Sequence, residues 1–279
     1  MDRQLSERND GMWWIAMLAG AVALIAAVYF FWPQSEPPAP PATAALAPAE
    51  PEPAPAPTLA PPAEPVIEHP VEAVKPPEAT PQVTLDGSDG TIAAALGHLL
   101  GNERMRKWFF GDAMVRRFVA TVDNLPRPVV AMKVRSLRPV PGAFEVLRDG
   151  DAIMVSAGNA ARYSTYVQAL ERVDAKQLAG VYLRFYPLFQ QAYEELGYPK
   201  AYFNDRLVAS IDHLLATPEV PAPLRLKQPK VLYEFEDPAL EALSAGQKGM
   251  LRLGPDNAQR VKAKLRALRA EITRSPPKP

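Results

Sequence analysis

The sequence predicts a mainly α-helical protein: a compact helical domain with a small β-hairpin, preceded by one transmembrane helix and a disordered Pro-rich linker. Three observations lead to this fold class. Residues 12–32 contain no charged side chain, residues 33–84 are dominated by Pro, Ala and Glu, and the remainder has apolar residues at helical spacing. The 279 residues include no cysteine, so an oxidising compartment would be harmless to the chain.

The apolar segment Met12–Trp32 is 21 residues long. At about 1.5 Å per residue, a helix of this length spans the ~30 Å hydrocarbon core of a bilayer. Aromatic residues stand at both ends of the segment, as is typical of membrane interfaces. A cleaved signal peptide is the alternative, but its apolar region is shorter and ends in small residues, where this chain has bulky aromatics and Pro33. We therefore predict a single-pass anchor whose partner is the lipid bilayer.

The basic residues near this segment predict its orientation. Arg3 and Arg8 lie in the short tail of residues 1–11, whereas the next basic residue after the anchor is Lys75. Because Lys and Arg favour the cytoplasmic side, we expect a cytoplasmic N-terminus and a C-terminal domain outside the inner membrane, in the periplasm of a bacterium with two membranes. The opposite topology would place the domain near cytoplasmic division machinery or nucleic acid. No nucleic-acid-binding module is recognisable, so no nucleic-acid partner is expected.

Residues 33–84 are predicted to be a disordered linker. Proline lacks a backbone donor and fixes φ, and the segment has few large apolar groups that would offset the entropy of ordering. A spacer is the favoured interpretation, and a ligand for a proline-recognising domain is the alternative. His69 stands alone here, with no metal-ligand spacing around it.

Residues 85–273 are predicted to form one globular domain, followed by a tail at 274–279. The Asp149-Gly150 pair between apolar runs predicts the hairpin. Helices are expected after Ser88, between Glu103 and Asn124 with a division and cap at Asp112, after Gly158, from Asp174 to Gly197 with a kink at Pro187, after an Asn204 cap, after Asp237, and from Pro255 onward.

A stripe of aromatic residues raises the first functional question. Seven of the nine tyrosines lie between Tyr163 and Tyr202. They could line a groove for sugars or extended peptide, but such a stripe is more often core, and we predict core.

Asp123 is the unusual residue of the second helical stretch, because a carboxylate at a helix C-terminus faces the negative end of the helix dipole. One interpretation is a structural latch in which an arginine such as Arg127 neutralises the acid. The other is a functional patch, for which the candidate residues are Arg116, Arg117, Asp123, Asn124 and Arg127. The latch is favoured, since structural ion pairs also perturb acids.

The run from Val115 to Pro128, Val-Arg-Arg-Phe-Val-Ala-Thr-Val-Asp-Asn-Leu-Pro-Arg-Pro, resembles domain-of-unknown-function family 3014, as does Gly142-Ala143-Phe144. The resemblance covers about residues 85–273. It implies a bacterial envelope protein with one N-terminal membrane helix, a low-complexity spacer and one envelope domain. The family brings no assigned activity, so no catalytic residue is carried over.

The last predicted helix carries Arg260, Lys262, Lys264, Arg266 and Arg269 beside its apolar seam. A docked helix with a solvated basic face is the simpler interpretation. Contact with anionic lipid or an envelope polymer is the alternative.

The motifs of the common enzyme classes are missing from the sequence: there is no phosphate-binding glycine loop, no H-E-x-x-H, no G-x-S-x-G and no cysteine nucleophile. No catalytic residue, metal site or cofactor is therefore predicted. The favoured function is a non-catalytic binding or scaffold domain tethered to the membrane, with an envelope protein or polymer as partner. The alternative is an envelope enzyme that acts on peptidoglycan or lipid through carboxylates such as Asp123.

Overall fold

The structure is a computed structural model that describes residues 66–71 and 83–274. The predicted cytoplasmic tail, the membrane segment Met12–Trp32, most of the linker and residues 275–279 lie outside the described residues. Within the described ranges, no helix combines the length and apolarity needed to cross a membrane.

The described part of the chain is mainly helical, with one small sheet. Its ten helices are α1 Asp89–Leu100, α2 Asn102–Trp108, α3 Met114–Asn124, α4 Gly158–Arg172, α5 Ala175–Arg184, α6 Tyr186–Glu195, α7 Phe203–Leu215, α8 Pro238–Glu241, α9 Ala245–Arg252 and α10 Pro255–Ile272. The strands are β1 Val146–Asp149, β2 Ala152–Val155, β3 Arg225–Lys227 and β4 Glu234–Phe235. The predicted fold class of the domain is confirmed at this level.

The predicted hairpin is confirmed and forms half of a four-stranded antiparallel sheet in the order β1-β2-β3-β4. Asp149 pairs with Ala152, so the turn residues are Gly150 and Asp151, and Gly150 has a φ of 56°. The left-handed conformation favours glycine at this position. β3 is too short to give a sequence signal and is held by pairing with β2 and β4.

The core of the domain is an aromatic cluster around Phe203, which is completely buried. Its ring lies 6.1 Å from the Phe189 ring and 5.4 Å from the Tyr193 ring. Tyr182, Tyr186 and Tyr193 are all buried, so the prediction that the tyrosine stripe is core is confirmed for these three. Burial raises the pKa of Tyr182 well above its ordinary value.

The long helix predicted from Asp174 to Gly197 is divided rather than kinked. Asp174 caps α5 as expected, accepting a hydrogen bond from the Gln177 N–H. The helix then ends at Arg184, and Pro187 lies in the first turn of α6. Proline cannot donate the hydrogen bond that would continue α5, but in a first turn the missing N–H is harmless.

Two predicted helix caps are wrong because tertiary contacts replace them. At the start of α3, the carboxylate of Asp89, and not that of Asp112, accepts from the N–H groups of Ala113 and Met114 at 2.8 Å each. α7 begins at Phe203, so Asn204 lies inside the helix. The Asn204 side chain is fully buried and bonds to other segments instead.

The predicted solvated basic face of α10 is also wrong, because four of its five basic residues bond within the domain. Arg260 pairs with Glu171, and Arg269 pairs with Asp212. The ammonium of Lys262 donates to the Thr217 carbonyl at 2.7 Å and that of Lys264 donates to the Val173 carbonyl at 2.6 Å. α10 is thus fastened by its cationic side chains as well as by its apolar seam.

Candidate functional site

The five residues of the predicted patch occupy two separate places. Asp123, Asn124 and Arg127 lie at and just after the C-terminal end of α3. Arg116 and Arg117 lie one to two turns earlier, and each is bound to a different set of partners. The structure therefore brings Arg127 to Asp123 but does not bring Arg116 or Arg117 to it.

Asp123 is the centre of a buried ion cluster, defined here as Asp123, Arg127, Arg206 and Tyr198. Only 3% of Asp123 is exposed. Nη2 of Arg127 lies 2.6 Å from its Oδ2, and Nε of Arg206 lies 2.9 Å from its Oδ1. The Tyr198 hydroxyl accepts from Arg127 at 2.9 Å and lies 3.4 Å from the same Asp123 oxygen. Each carboxylate oxygen is thus paired with a guanidinium group.

The surroundings of the cluster explain how an acid is tolerated at a helix C-terminus. The last turn of α3 leaves carbonyl groups without intrahelical partners. The Asp123 carbonyl accepts from Arg206 and the Val122 carbonyl accepts from the Ser210 hydroxyl at 3.1 Å, and both donors come from α7. The Asn124 amide donates to the Ala120 carbonyl at 2.7 Å. The cluster therefore joins α3 to α7 and closes the end of α3, as the latch interpretation predicts.

Arg116 and Arg117 serve other junctions. Arg116 bridges Asp86, at 2.7 Å, and Glu195, at 2.9 Å. Arg117 pairs with Asp112 at 2.6 Å and donates to the Lys133 carbonyl at 2.6 Å. The guanidinium of Arg116 therefore ties the start of the domain to α6, and that of Arg117 holds the chain that follows α3.

The arrangement around Asp123 limits what this carboxylate can do chemically. A general acid or base needs an oxygen that can reach a substrate proton, at about 2.6–3.2 Å. Both oxygens of Asp123 face guanidinium groups instead, and the residue is buried. The geometry suits a structural ion pair better than proton transfer.

The adjacent acid and imidazole of α7, Asp212 and His213, point to different partners. Asp212 accepts from Arg269 at 2.6 and 2.9 Å, and this pairing holds the pKa of Asp212 below its usual range. His213 Nε2 lies 2.8 Å from the hydroxyl of Ser244, the residue that caps α9. The two side chains therefore do not form a relay. In the described part of the chain, no three His, Asp or Glu side chains come close enough to hold a metal ion.

Sequence reasoning missed a groove of about 590 Å³ at one end of the domain. Its lining is mostly apolar and comes from four separate segments: the β1–β2 hairpin, the start of α4, the loop of residues 217–224, and the junction of α9 and α10. Of the lining residues, Met250 is buried, whereas Leu147 is half exposed. No local pattern marks these residues as neighbours, so the sequence offers no signal for the groove.

Two features shape the groove. Gly254 has a φ of 80°, and a Cβ at this position would lie 2.9 Å from the Ala160 Cβ. Only glycine therefore allows α4 and α10 to approach so closely. On the opposite side, the buried ammonium of Lys262 holds the Thr217 carbonyl at 2.7 Å and lies 3.6 Å from the Glu219 carboxylate. This cation fixes the loop of residues 217–224, which is part of the lining.

Comparison with known proteins places the chain in a family. The family described as "Protein of unknown function (DUF3014)" matches residues 114–269, which is more than half of the chain. The match includes the Asp123 cluster and all of the groove lining. Neither a curated protein nor a solved structure matches the sequence. The chain belongs to this family, as its sequence predicts.

Proposed function

We propose that this member of the DUF3014 family is a membrane-tethered binding protein of the bacterial envelope, in which the groove holds an apolar segment of a partner polypeptide. The domain acts by binding and carries out no chemistry of its own. The groove is the single observation that carries this proposal. Its volume of about 590 Å³ falls within the range of ligand-binding pockets, and its lining is mostly apolar.

The shape of the groove favours a polypeptide over an enclosed small molecule. The groove is partly open to solvent and not enclosed, so a polypeptide segment can lie in it without being fully surrounded. Apolar walls supply the hydrophobic contribution to binding. Polar side chains at the rim, among them Arg252 and Gln259, are placed to meet the main chain of such a segment.

The geometry of Asp123 argues against the enzyme alternative. A glycosidase-like mechanism needs two carboxyl groups that flank a substrate bond. Asp123 is buried in ion pairs with Arg127 and Arg206, and Asp212 is paired with Arg269. Asp123 and Asp212 are thus both engaged in joining helices.

The anchor and its orientation complete the proposal. The uncharged segment Met12–Trp32, with Arg3 and Arg8 before it, supports an inner-membrane protein with its domain in the periplasm. Alkaline phosphatase fused after Pro279 should be active in this topology. Fluorescence of a fused cytoplasmic reporter without phosphatase activity would contradict it.

The binding proposal is tested with a matched pair of variants on α10. Ala258 lines the groove, whereas Ala267 is exposed on the same helix outside it. A photo-crosslinking residue at Gln259, on the groove rim, should capture a defined polypeptide in the intact envelope. Ala258→Trp should abolish that crosslink by filling the groove, and Ala267→Trp should leave it unchanged. Equal crosslinking in the two variants, or crosslinks to lipid alone, would refute the groove as the binding site.

A further inference from the structure

A short piece of the linker range is packed on the domain. Residues Val66–Val71, here called the strap, lie against the start of α7. The sequence places these residues in the linker because of the prolines around them. Their contacts come from residues more than 130 positions away, which composition does not reveal.

The strap is held mainly through its main chain. The Asp205 carboxylate accepts from the N–H of Glu68 at 3.1 Å and from the N–H of His69 at 2.7 Å. The Asn204 amide donates to the His69 carbonyl at 2.9 Å. The Tyr202 hydroxyl accepts from the Val71 N–H at 2.7 Å. Three side chains from neighbouring positions thus bind three N–H groups and two carbonyls of the six-residue strap, since the Tyr202 hydroxyl also lies 3.4 Å from the Val71 carbonyl.

Two strap side chains add to these main-chain contacts. Nδ1 of His69 lies 3.2 Å from the Asp205 carboxylate, and Val71 packs against the aromatic core. Val66 and Ile67, in contrast, are largely exposed. The strap bends at Glu68 and His69, which lets one carboxylate accept from two consecutive N–H groups. The contacts therefore select a bent main chain that carries an imidazole followed two residues later by a small apolar group.

Contacts inside the domain orient two of the binding residues, Asn204 and Asp205. Asn204 is fully buried, and its side chain also donates to the Ile272 carbonyl at 3.1 Å and accepts from the Tyr182 hydroxyl at 3.0 Å. Those two bonds fix the amide in the orientation that meets the His69 carbonyl. Asp205 lies in the first turn of α7, where the helix dipole favours a carboxylate. Such preorganisation lowers the entropic cost of binding.

We propose that Tyr202, Asn204 and Asp205 form a peptide-binding site for a His-Pro-Val-type segment, and that the strap is its intramolecular ligand. The site is separate from the groove and does not depend on it. One consequence depends on membrane tethering: the strap affects how far the domain can extend from the membrane. Release of the strap would add residues 66–82 to the tether, on the order of 60 Å of fully extended chain, because Val83 packs on the core of the domain. The site therefore controls where the tether leaves the domain.

Hydrogen exchange of the full chain in detergent tests whether the site holds the strap. Val71→Pro removes the N–H that Tyr202 accepts, and Ile67→Pro is the matched control because its N–H has no partner among the described residues. Amide exchange at Glu68 and His69 should accelerate about fivefold or more in Val71→Pro and stay near the wild-type rate in Ile67→Pro. Equal rates in wild type and Val71→Pro would overturn the proposal.

A second measurement tests whether the site accepts a peptide in trans. In the wild-type chain the tethered strap is present at an effective concentration near millimolar, so an added ligand competes poorly. A labelled peptide with the sequence of Val66–Val71 should bind the Val71→Pro chain and fail to bind both wild type and a Val71→Pro, Asp205→Ala chain. Peptide binding that is unchanged by Asp205→Ala, or that is equal in wild type and Val71→Pro, would overturn the assignment. Neither result depends on the groove crosslink, so the two proposals fail separately.

Discussion

The helical body around Phe203 and the sheet end of the domain differ in which side chains are buried and which are exposed. In the body, buried polar groups such as Asp123, Asn204 and Ser210 all have hydrogen-bond partners. At the sheet end, large apolar groups face solvent: Val231 is 86% exposed and Leu232 is 77% exposed. Ion pairs at the sheet end, such as Arg225–Glu236 at 3.6 Å, are long and exposed.

This contrast indicates different roles for the two regions: one stabilises the fold, and the other exposes a surface that a partner can cover. Buried groups whose partners all lie within the helical body, such as Asp123 and Ser210, contribute to the free energy of folding and leave nothing for a partner to bind. Exposed apolar groups contribute little to folding and gain by being covered. The groove lies beside the sheet, and its rim includes Leu147 of β1. The body is thus expected to determine stability, and the sheet end to determine binding at the groove.

The largest expected effect comes from the core of the body. Phe203→Ala should lower the free energy of unfolding by about 3–5 kcal/mol, because the ring is completely buried among other aromatic rings. Phe144→Ala, at the half-exposed sheet end, should cost less than about 1 kcal/mol. Urea unfolding followed by circular dichroism measures both variants. Equal losses of unfolding free energy would contradict the expected difference between the two regions.

The Asp123 cluster provides the next test. Asp123→Asn should cost about 2–4 kcal/mol, since it breaks a buried ion cluster while both arginines remain partly solvated. Asp86→Asn, whose carboxylate is 86% exposed, should change stability by less than about 0.5 kcal/mol. An Asp123→Asn protein with unchanged melting but lost function in cells would favour the functional patch over the latch.

The junction between the two regions is probed by two glycines of α9. A Cβ at Gly246 would lie 2.7 Å from a Leu214 methyl and 2.9 Å from the Leu125 carbonyl, whereas a Cβ at Gly249 would have nothing within 4 Å. Gly246→Ala should therefore cost about 1–3 kcal/mol through overpacking. Gly249→Ala should stabilise the protein by up to about 1 kcal/mol, because alanine favours a helix. Similar shifts in melting temperature for both would show that α9 is not tightly docked.

The smallest expected effect concerns pH. Pairing with Arg269 holds the folded-state pKa of Asp212 below its usual 3.8. The pair therefore stabilises the fold above about pH 4, and its contribution is lost as pH falls through the lowered pKa. Both side chains are more than one third exposed, so Asp212→Asn should cost less than about 1 kcal/mol at pH 7. The difference from wild type should vanish in strong acid, and a difference that grows below pH 4 would contradict this assignment.

The sequence identifies most elements that depend on near neighbours. Asp174 and Asp237 cap helices as predicted, and the Asp149-Gly150 pair marks the hairpin. The pairing of Asp123 with Arg127, four residues away, also follows from local spacing. Arg206, the second guanidinium of the cluster, is 83 residues away and has no local signal. The sequence therefore predicts one of the two guanidinium partners of Asp123, and only the structure reveals the other.

By itself, the sequence determines the mainly helical class, the hairpin and the family, because helical periodicity, capping and turn residues act over three or four positions. The tertiary structure alone decides that Asp89 caps α3, that Asn204 is a buried binding residue, that α10 is fastened by its cations, and that a groove opens beside the sheet. These outcomes depend on side chains that are distant in the chain and adjacent in space, such as the Tyr202 hydroxyl and the Val71 N–H, 131 positions apart. Such pairs are brought together by packing of the whole domain, and no local sequence pattern encodes that packing.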